Sequence, residues 1–364
     1  MTIKAVTQLL ETLAPPALQE TYDNSGLIIG DSTQICTGIL VSLDCLEAVV
    51  NEAIEKNCNL IVSHHPIVFS GLKKITGKNY IERVVIKAIK NNIALYALHT
   101  NLDNVTNGVS FKMGQLLQLQ NMQVLAPKTG HLKKIYTTGK PQYAQAILAA
   151  LFNAGGGNIG NYAECSFCIN GTGTFKPLTG SSPVIGNINQ LAIEDEVKLE
   201  VLFPAWQQAQ IVTALKAAHS YEEVAYEIVT LDNEDQYSGS GVVGNLPQAV
   251  TETEFFNLVK QQFKVPFLKH TPLLNKPIKR VALCGGSGSF LIKNAINANA
   301  DVYLSADIKY HEFYNADNQL VITDIGHYET EQFTIELIAA FLQENISTFA
   351  ILKTSINTNS VNYF

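Results

Sequence analysis

The sequence predicts an α/β fold: a two-lobed α/β domain, discontinuous in sequence, with an inserted ferredoxin-like α+β domain. Three observations predict it. Short apolar runs alternate with amphipathic stretches in the first and last thirds of the 364 residues, the pattern of strands joined by helices in a buried parallel sheet. The middle changes to strand, helix, strands, helix, strand. Residues of one chemical kind lie on both sides of that middle, as expected if it interrupts a single host domain. A chain this long exceeds the roughly 100–200 residues of an ordinary domain. Hydrophobic residues make up 46% and charged residues 16%, enough apolar surface for large cores. The boundaries read as 1–129, 130–235 and 236–364.

At the N-terminus, MTIKAVTQLLETLAPPALQE has apolar residues at helical spacing, interrupted by Glu11, and not the continuous apolar run of a signal peptide. GILVSLD reads as a strand and LEAVVNEAIEKN as the helix after it. NLIVS runs into His64-His65-Pro66, and NIALYAL into His99 through Asp103. In the middle, LKKIYTTG is a strand, PQYAQAILAALFNAG a helix, AECSFCI and GTGTFKP a hairpin pair, and VKLEVLFP a strand. QQAQIVTALKAA is then helical and EEVAYEIVTL a strand, with Glu222 and Glu223 as a solvated turn before it. Further on, KRVALCGGSG leads into a helix, DVYLSAD into Ile308 and LVITDIG into His327. From His327 one amphipathic helix runs through ETEQFTIELIAAFLQEN.

Charge and cysteine usage exclude several classes. Lys plus Arg is 25 against 32 for Asp plus Glu, a net charge of -7 with no basic block, which argues against non-specific nucleic-acid binding. No run approaches the ~18 apolar residues of a membrane span. Six cysteines spread over the whole chain do not make a disulfide framework, and a cytoplasmic location with reduced thiols is expected.

Chemistry gathers at the strand exits, where open α/β sheets bind ligands. Adjacent His64 and His65 leave a strand just before Pro66, and a turn there can aim both imidazoles outward; a solvated pair is equally open. Asp103 supplies a hard oxygen ligand or, alternatively, turn chemistry. His327 and Glu331, four apart at a helix start, share one face, although His327 can also serve as a cap. Jointly, His64, His65, Asp103, His327 and Glu331 point to a site for two divalent metal ions, making the discontinuous domain a metal-binding one. Three imidazoles and two carboxylates suit Zn, Mn, Fe, Ni or Co. Lys309 and His311, beyond the strand holding Asp307, are candidates for catalytic acid-base work or substrate contact, or ordinary surface residues. Gly285-Gly286-Ser287-Gly288 can offer amides to a phosphate or form a tight turn. Cys165 and Cys168 have redox spacing but fall in a strand, where structural cysteines are the simpler reading. His131, His219 and His270 have no sequence partners and receive no role.

Taken together, SHHP, HTNLD, SADIKYH and DIGHYETE resemble the GTP cyclohydrolase 1 type 2 homologs, also called interacting-factor-three-like proteins. The resemblance runs from TYDNSGLIIG to TSINTNSVNYF. It implies two metals on His64, His65, Asp103, His327 and Glu331, with His99 close by in second rank. It also implies a PII/CutA-like inserted domain at NIGNY, GTGTFKP and YEEVAYEI, and a toroidal homohexamer. Two functions are compatible with these expectations. One is a metal-dependent hydrolase of a small-molecule substrate, nucleotides and phosphoesters included. The other is a non-catalytic metal-binding or regulatory protein sensing a small molecule through the insert.

Overall fold

In the computed structural model, which describes residues 1–362, the Thr2 hydroxyl caps helix α1 (Ile3–Leu13) by accepting the Ala5 N–H. Its buried Ile3, Val6 and Leu10 keep the spacing of three and four read from the sequence. Next come β1 (Gly26–Ile29), β2 (Gly38–Ser42), α2 (Glu47–Glu55), β3 (Leu60–Ser63), α3 (Tyr80–Lys90) and β4 (Ala94–Ala97). Every residue of β2, β3 and β4 is buried, as strands of a covered parallel sheet must be. These three strands are parallel, and β1 adds an antiparallel edge to β4. Val49, Val50, Val84 and Ala88 from α2 and α3 pack on Leu40, Ile61 and Leu95 of the sheet.

Helices α4 (Thr100–Asp103) and α5 (Val109–Leu116) lead to β5 (Gln120–Lys128). Pro127–Gln236 then forms a compact unit of its own, while Met1–Ala126 and the chain from Tyr237 onward form the other. The smaller unit runs β6 (Leu132–Gly139), α6 (Ala144–Asn153), β7 (Ser166–Phe175), β8 (Ala192–Pro204), α7 (Gln208–Ala218) and β9 (Tyr226–Leu231). Its sheet order is β7-β8-β6-β9, with every neighbouring pair antiparallel. Ile147, Leu151, Ile211 and Leu215 of the two helices pack on Ile135, Leu199, Val201 and Phe203 of the sheet. The expected hairpin between AECSFCI and GTGTFKP is absent. Instead β7 pairs with β8 without interruption from Ser166 opposite Val201 to Phe175 opposite Ala192. Ladder pairing overrides the turn chemistry of Asn170-Gly171, and the chain reverses only after Phe175.

The larger unit resumes with β10 (Asp235–Val250), α8 (Glu252–Phe263), β11 (Lys269–His270), β12 (Ile278–Ser287), α9 (Ile292–Asn297), β13 (Val302–Ala306) and β14 (Val321–Asp324). The second sheet has the order β11-β14-β13-β12-β10-β5, with β12, β13 and β14 parallel. The single helix expected after β14 is two, α10 (His327–Glu331) and α11 (Thr334–Asn345). They separate where Phe333 packs into the core of the second sheet and the Gln332 amide donates to the Phe263 carbonyl. Finally β15 (Ala350–Lys353) returns to the first sheet, parallel to β2. Among the described residues, no helix is long and apolar enough to cross a membrane.

The segment after β15 is fastened to α2. Buried Glu52 accepts hydrogen bonds from Lys56, the Thr354 hydroxyl, and both the N–H and hydroxyl of Ser355. Burial raises its pKa, but these donors outweigh it and hold the carboxyl at about 2. Its stabilisation is therefore complete above the unfolded value of 4.5 and disappears as pH falls through about 2. Urea unfolding across that window should show stability falling with acidification in the parent protein and a flatter profile in Glu52→Gln.

Candidate metal centre

Three strand exits of the larger unit deliver the site. After β3, the N–H groups of His64 and His65 both donate to the Leu43 carbonyl, a turn that releases both side chains from strand alternation. After β4, His99 precedes the single turn of α4, which carries Asp103. After β14, Gly326 at φ 98° starts α10, and His327 and Glu331 project from it four residues apart.

The side chains converge. His64 Nε2 lies 3.7 Å from Asp103 Oδ1 and 3.7 Å from Glu331 Oε1. The other Glu331 oxygen, Oε2, lies 2.9 Å from His65 Nε2 and 3.1 Å from His327 Nε2, and those two nitrogens are 3.4 Å apart. Ligand atoms of His64, His65 and Glu331 all fall within 4.8 Å of one another, so this group can hold a metal ion. His99 is beside them, its ring 5.4 Å from that of His64 and 5.5 Å from that of His65.

Proton placement decides what the cluster wants. His64 Nδ1 is 2.7 Å from the Leu98 carbonyl, which can only accept, so Nδ1 carries the proton. That leaves Nε2 fully buried, without a hydrogen-bond partner, as does Asp103 Oδ1. His65 Nδ1 faces Asp44 at 2.7 Å, His327 Nδ1 faces Asp307 at 2.8 Å and His99 Nδ1 faces Asp23 at 2.6 Å. Each acceptor fixes the Nδ1–H tautomer and turns the Nε2 lone pair inward, the arrangement that orients metal-ligating histidines. For His65 and His327 the inward Nε2 faces a carboxylate oxygen, a contact that a bound cation or a proton on Nε2 makes favourable.

The titration behaviour agrees. Burial lowers the pKa of His65, but hydrogen bonds to Asp44 and Glu331 outweigh it and raise it to about 10. His327 is likewise lowered by burial and raised overall, to about 9, chiefly by Glu331. Burial and the Glu331 charge push Asp103 upward. Glu331 is raised by burial yet held well below its ordinary value by the histidines, His64 foremost. In the absence of a metal, the raised pKa values of His65 and His327 place protons between these two rings and Glu331.

No role was read from the sequence for the outer aspartates, although Asp44 and Asp307 each end a predicted strand. Asp44 also accepts from the Thr358 hydroxyl at 2.7 Å, so the C-terminal segment braces it. Asp44→Asn should weaken divalent-ion binding by about 10- to 100-fold, the usual cost of losing such a partner. Competition with a metallochromic chelator measures this, and unchanged affinity would show that Asp44 does not orient His65. Lys309 and His311 are not drawn to Glu331. The Lys309 N–H opens a short 3-10 turn by donating to Glu312, and the exposed His311 ring stacks on Tyr314. Of the four amides of Gly285-Gly286-Ser287-Gly288 considered for a phosphate, those of Gly285 and Gly286 already donate to the Ser110 and Thr330 hydroxyls. Cys165 and Cys168 are free thiols.

Comparison with known proteins places these features in context. The family model described as Duf34/NIF3 (NGG1p interacting factor 3) matches residues 1–360. The GTP cyclohydrolase 1 type 2 homolog of Bacillus subtilis is 38% identical over 325 residues, 89% of this chain and 87% of the relative. The protein of the same name from Staphylococcus epidermidis is 35% identical over 367 residues, covering both chains completely. Among solved structures, a Bacillus cereus protein related to NIF3 superposes with a TM-score of 0.89 at 33% identity, covering 100% of this chain and 99% of that one.

Proposed function

The chain belongs to the Duf34/NIF3 family, and from that premise we propose that it is a dinuclear-metal-dependent hydrolase acting on a nucleotide or phosphoester. One observation carries the reading: the two oxygens of Glu331 face different partners, Oε1 toward His64 and Oε2 toward His65 and His327. His64, Asp103 and Glu331 would hold one divalent ion, and His65, His327 and Glu331 the second, with Glu331 shared. Bound there, two such ions acidify water and stabilise negative charge developing on a substrate. Asp44, Asp307 and the Leu98 carbonyl keep the imidazoles oriented. Lys309 and His311 face solvent and serve as substrate contacts rather than ligands. The donor set of imidazoles and carboxylates accepts Zn, Mn, Fe, Ni or Co.

The unit Pro127–Gln236 is read as a ferredoxin-like domain of the PII/CutA type inserted at 130–235 between host segments 1–129 and 236–364. Its strand order β7-β8-β6-β9 and strand-helix-strand-strand-helix-strand sequence support this. We also place the chain in a cytoplasmic homohexamer of toroidal shape, which light scattering would test by a mass six times that of the chain.

The decisive experiment is metal analysis of the native protein followed by incubation with GTP and a panel of phosphoesters. Two ions per chain with turnover abolished in His64→Ala/His65→Ala is the expected result. Two ions per chain with every substrate intact would instead favour a non-catalytic metal-binding or regulatory protein. A cavity of about 350 Å³ within the smaller unit, lined by Phe175, Glu196 and Tyr221, supports that second reading.

A further inference from the structure

Two cavities lie near the histidine cluster, one with His65 and His327 in its wall and one joined to the cluster through Phe69, and their charges differ. The larger, about 780 Å³, includes His65 and His327 in its wall together with Asp44, Asp307, Asp324 and Glu329. The cation on its rim, Lys269, is engaged with Asp324 at 2.6 Å. Apart from any ions held by the histidines, that wall offers phosphate groups no unengaged cation. The second cavity, about 340 Å³, lies along the loop that follows His65 and is lined by Phe69, Lys73 and Lys74 and by one carboxylate, Glu82, whose oxygens are taken up by donors of the loop itself. Phe69 packs edge-on against His99, ring centroids 6.0 Å apart, and Tyr22 lies 6.4 Å beyond it. Both aromatic rings are exposed, 49% for Phe69 and 66% for Tyr22. Lys73 and Lys74 are exposed, and among the described residues neither holds an ion pair.

The loop is anchored at both ends. Near its start the Asn24 side-chain amide donates to the Val68 carbonyl at 2.6 Å, next to the Asp23 that orients His99. Near its end buried Glu82 accepts from the Thr76 N–H and hydroxyl, the Lys78 N–H and the Asn79 amide. The segment between these anchors therefore presents exposed aromatic carbon beside the histidine cluster and, four residues farther along, two ammonium groups free to meet an anion.

We propose that the loop from Phe69 to Lys74 is the nucleotide clamp of this site: a planar base lies against Phe69 and Tyr22, and the phosphates sit on Lys73 and Lys74. The assignment rests on the metal-dependent reading above and deepens it by giving the substrate a side of entry. Exposed aromatic faces stack on any base, and paired lysines recognise phosphate as point charges. A nucleoside lacking phosphate would keep the stacking and lose the lysines.

The test is equilibrium binding of GTP, guanosine and inorganic phosphate to the metal-loaded full-length protein, with metal content measured on every sample. Lys73→Glu/Lys74→Glu should weaken GTP binding by about tenfold or more and leave guanosine unchanged, whereas Phe69→Ala should weaken both by about tenfold. Both variants should retain the parent metal content, since neither alters a ligand. Inorganic phosphate should bind more weakly than GTP, and rising salt should erode the GTP advantage. The proposal is overturned if the metal-loaded parent does not bind GTP or binds it no better than guanosine. It is equally overturned if the lysine variant binds GTP like the parent, or if Lys269→Gln is the change that weakens binding. Absence of ions from the parent protein would instead sink the underlying two-metal reading, so the two failures are distinct.

Discussion

Glu331→Gln is expected to cut the affinity for divalent ions by two to three orders of magnitude while the metal-free fold survives. Glu331 is 3% exposed, and both of its oxygens face imidazole nitrogens. Glutamine keeps the shape but offers one oxygen and one NH₂ group. An NH₂ directed toward His65 and His327 can donate to the lone pairs that Asp44 and Asp307 turn inward. The variant site is then satisfied by ordinary hydrogen bonds and has lost the reason to recruit a cation. Removing one member of a buried charged set costs about 3–5 kcal/mol; the hydrogen bonds glutamine regains keep the loss toward the lower part of that range, and at about 1.4 kcal/mol per decade about 3–4 kcal/mol is two to three orders of magnitude. Calorimetric titration with a single divalent ion measures it directly. Retention of two tightly held ions by Glu331→Gln would remove Glu331 from its shared position.

The residues that meet at this candidate centre could be gathered from the sequence for a physical reason. Ligand-type residues stood at the ends of apolar runs, and strands expose their exits, so His64, His65, Asp103, His327 and Glu331 could be gathered without coordinates. The parallel first sheet and the change of pattern in the middle were legible for a related reason: periodicity reports burial, and burial is what builds sheets. Features set by pairing between distant segments were not legible. Asn170-Gly171 reads as a turn, and only ten consecutive pairings to β8 keep it in a strand. The break between α10 and α11 falls where Phe333 packs, partly buried, against the core of the second sheet, which no local pattern announces. The orienting partners were hidden for the same reason. Asp23 is 76 positions from His99, and the Leu98 carbonyl is a backbone atom with no sequence signature at all. His99 itself was ranked below the candidate ligands, yet its ring packs against those of His64 and His65 and its Nδ1 has the same kind of carboxylate partner.

Gly286→Ala should damage fold and centre together, because here the backbone itself makes room for the candidate ligand Glu331. Gly286 has φ +61°, and a Cβ at this position would lie 2.3 Å from Glu331 Oε1 and 3.3 Å from His327 Cε1. The backbone cannot step aside easily: its N–H donates to the Thr330 hydroxyl at 2.9 Å and its carbonyl accepts from Ser305 at 3.1 Å. The left-handed conformation costs an alanine about 1–2 kcal/mol, and forcing a methyl into a filled space adds about 1–3 kcal/mol. Glu331 must then rotate away from His64, and ion affinity falls with stability. Gly288→Ala separates the two effects. Its Cβ would strike the Ser305 and Tyr303 hydroxyls at 2.2 and 2.5 Å rather than a ligand. That variant should unfold more readily while binding ions close to the parent affinity. Chemical denaturation with and without a saturating divalent ion distinguishes them, since a bound ion adds stability in proportion to the logarithm of its concentration over Kd. The ion should stabilise Gly288→Ala nearly as much as the parent and Gly286→Ala far less; equal stabilisation of both would mean that Glu331 does not need the space Gly286 leaves open.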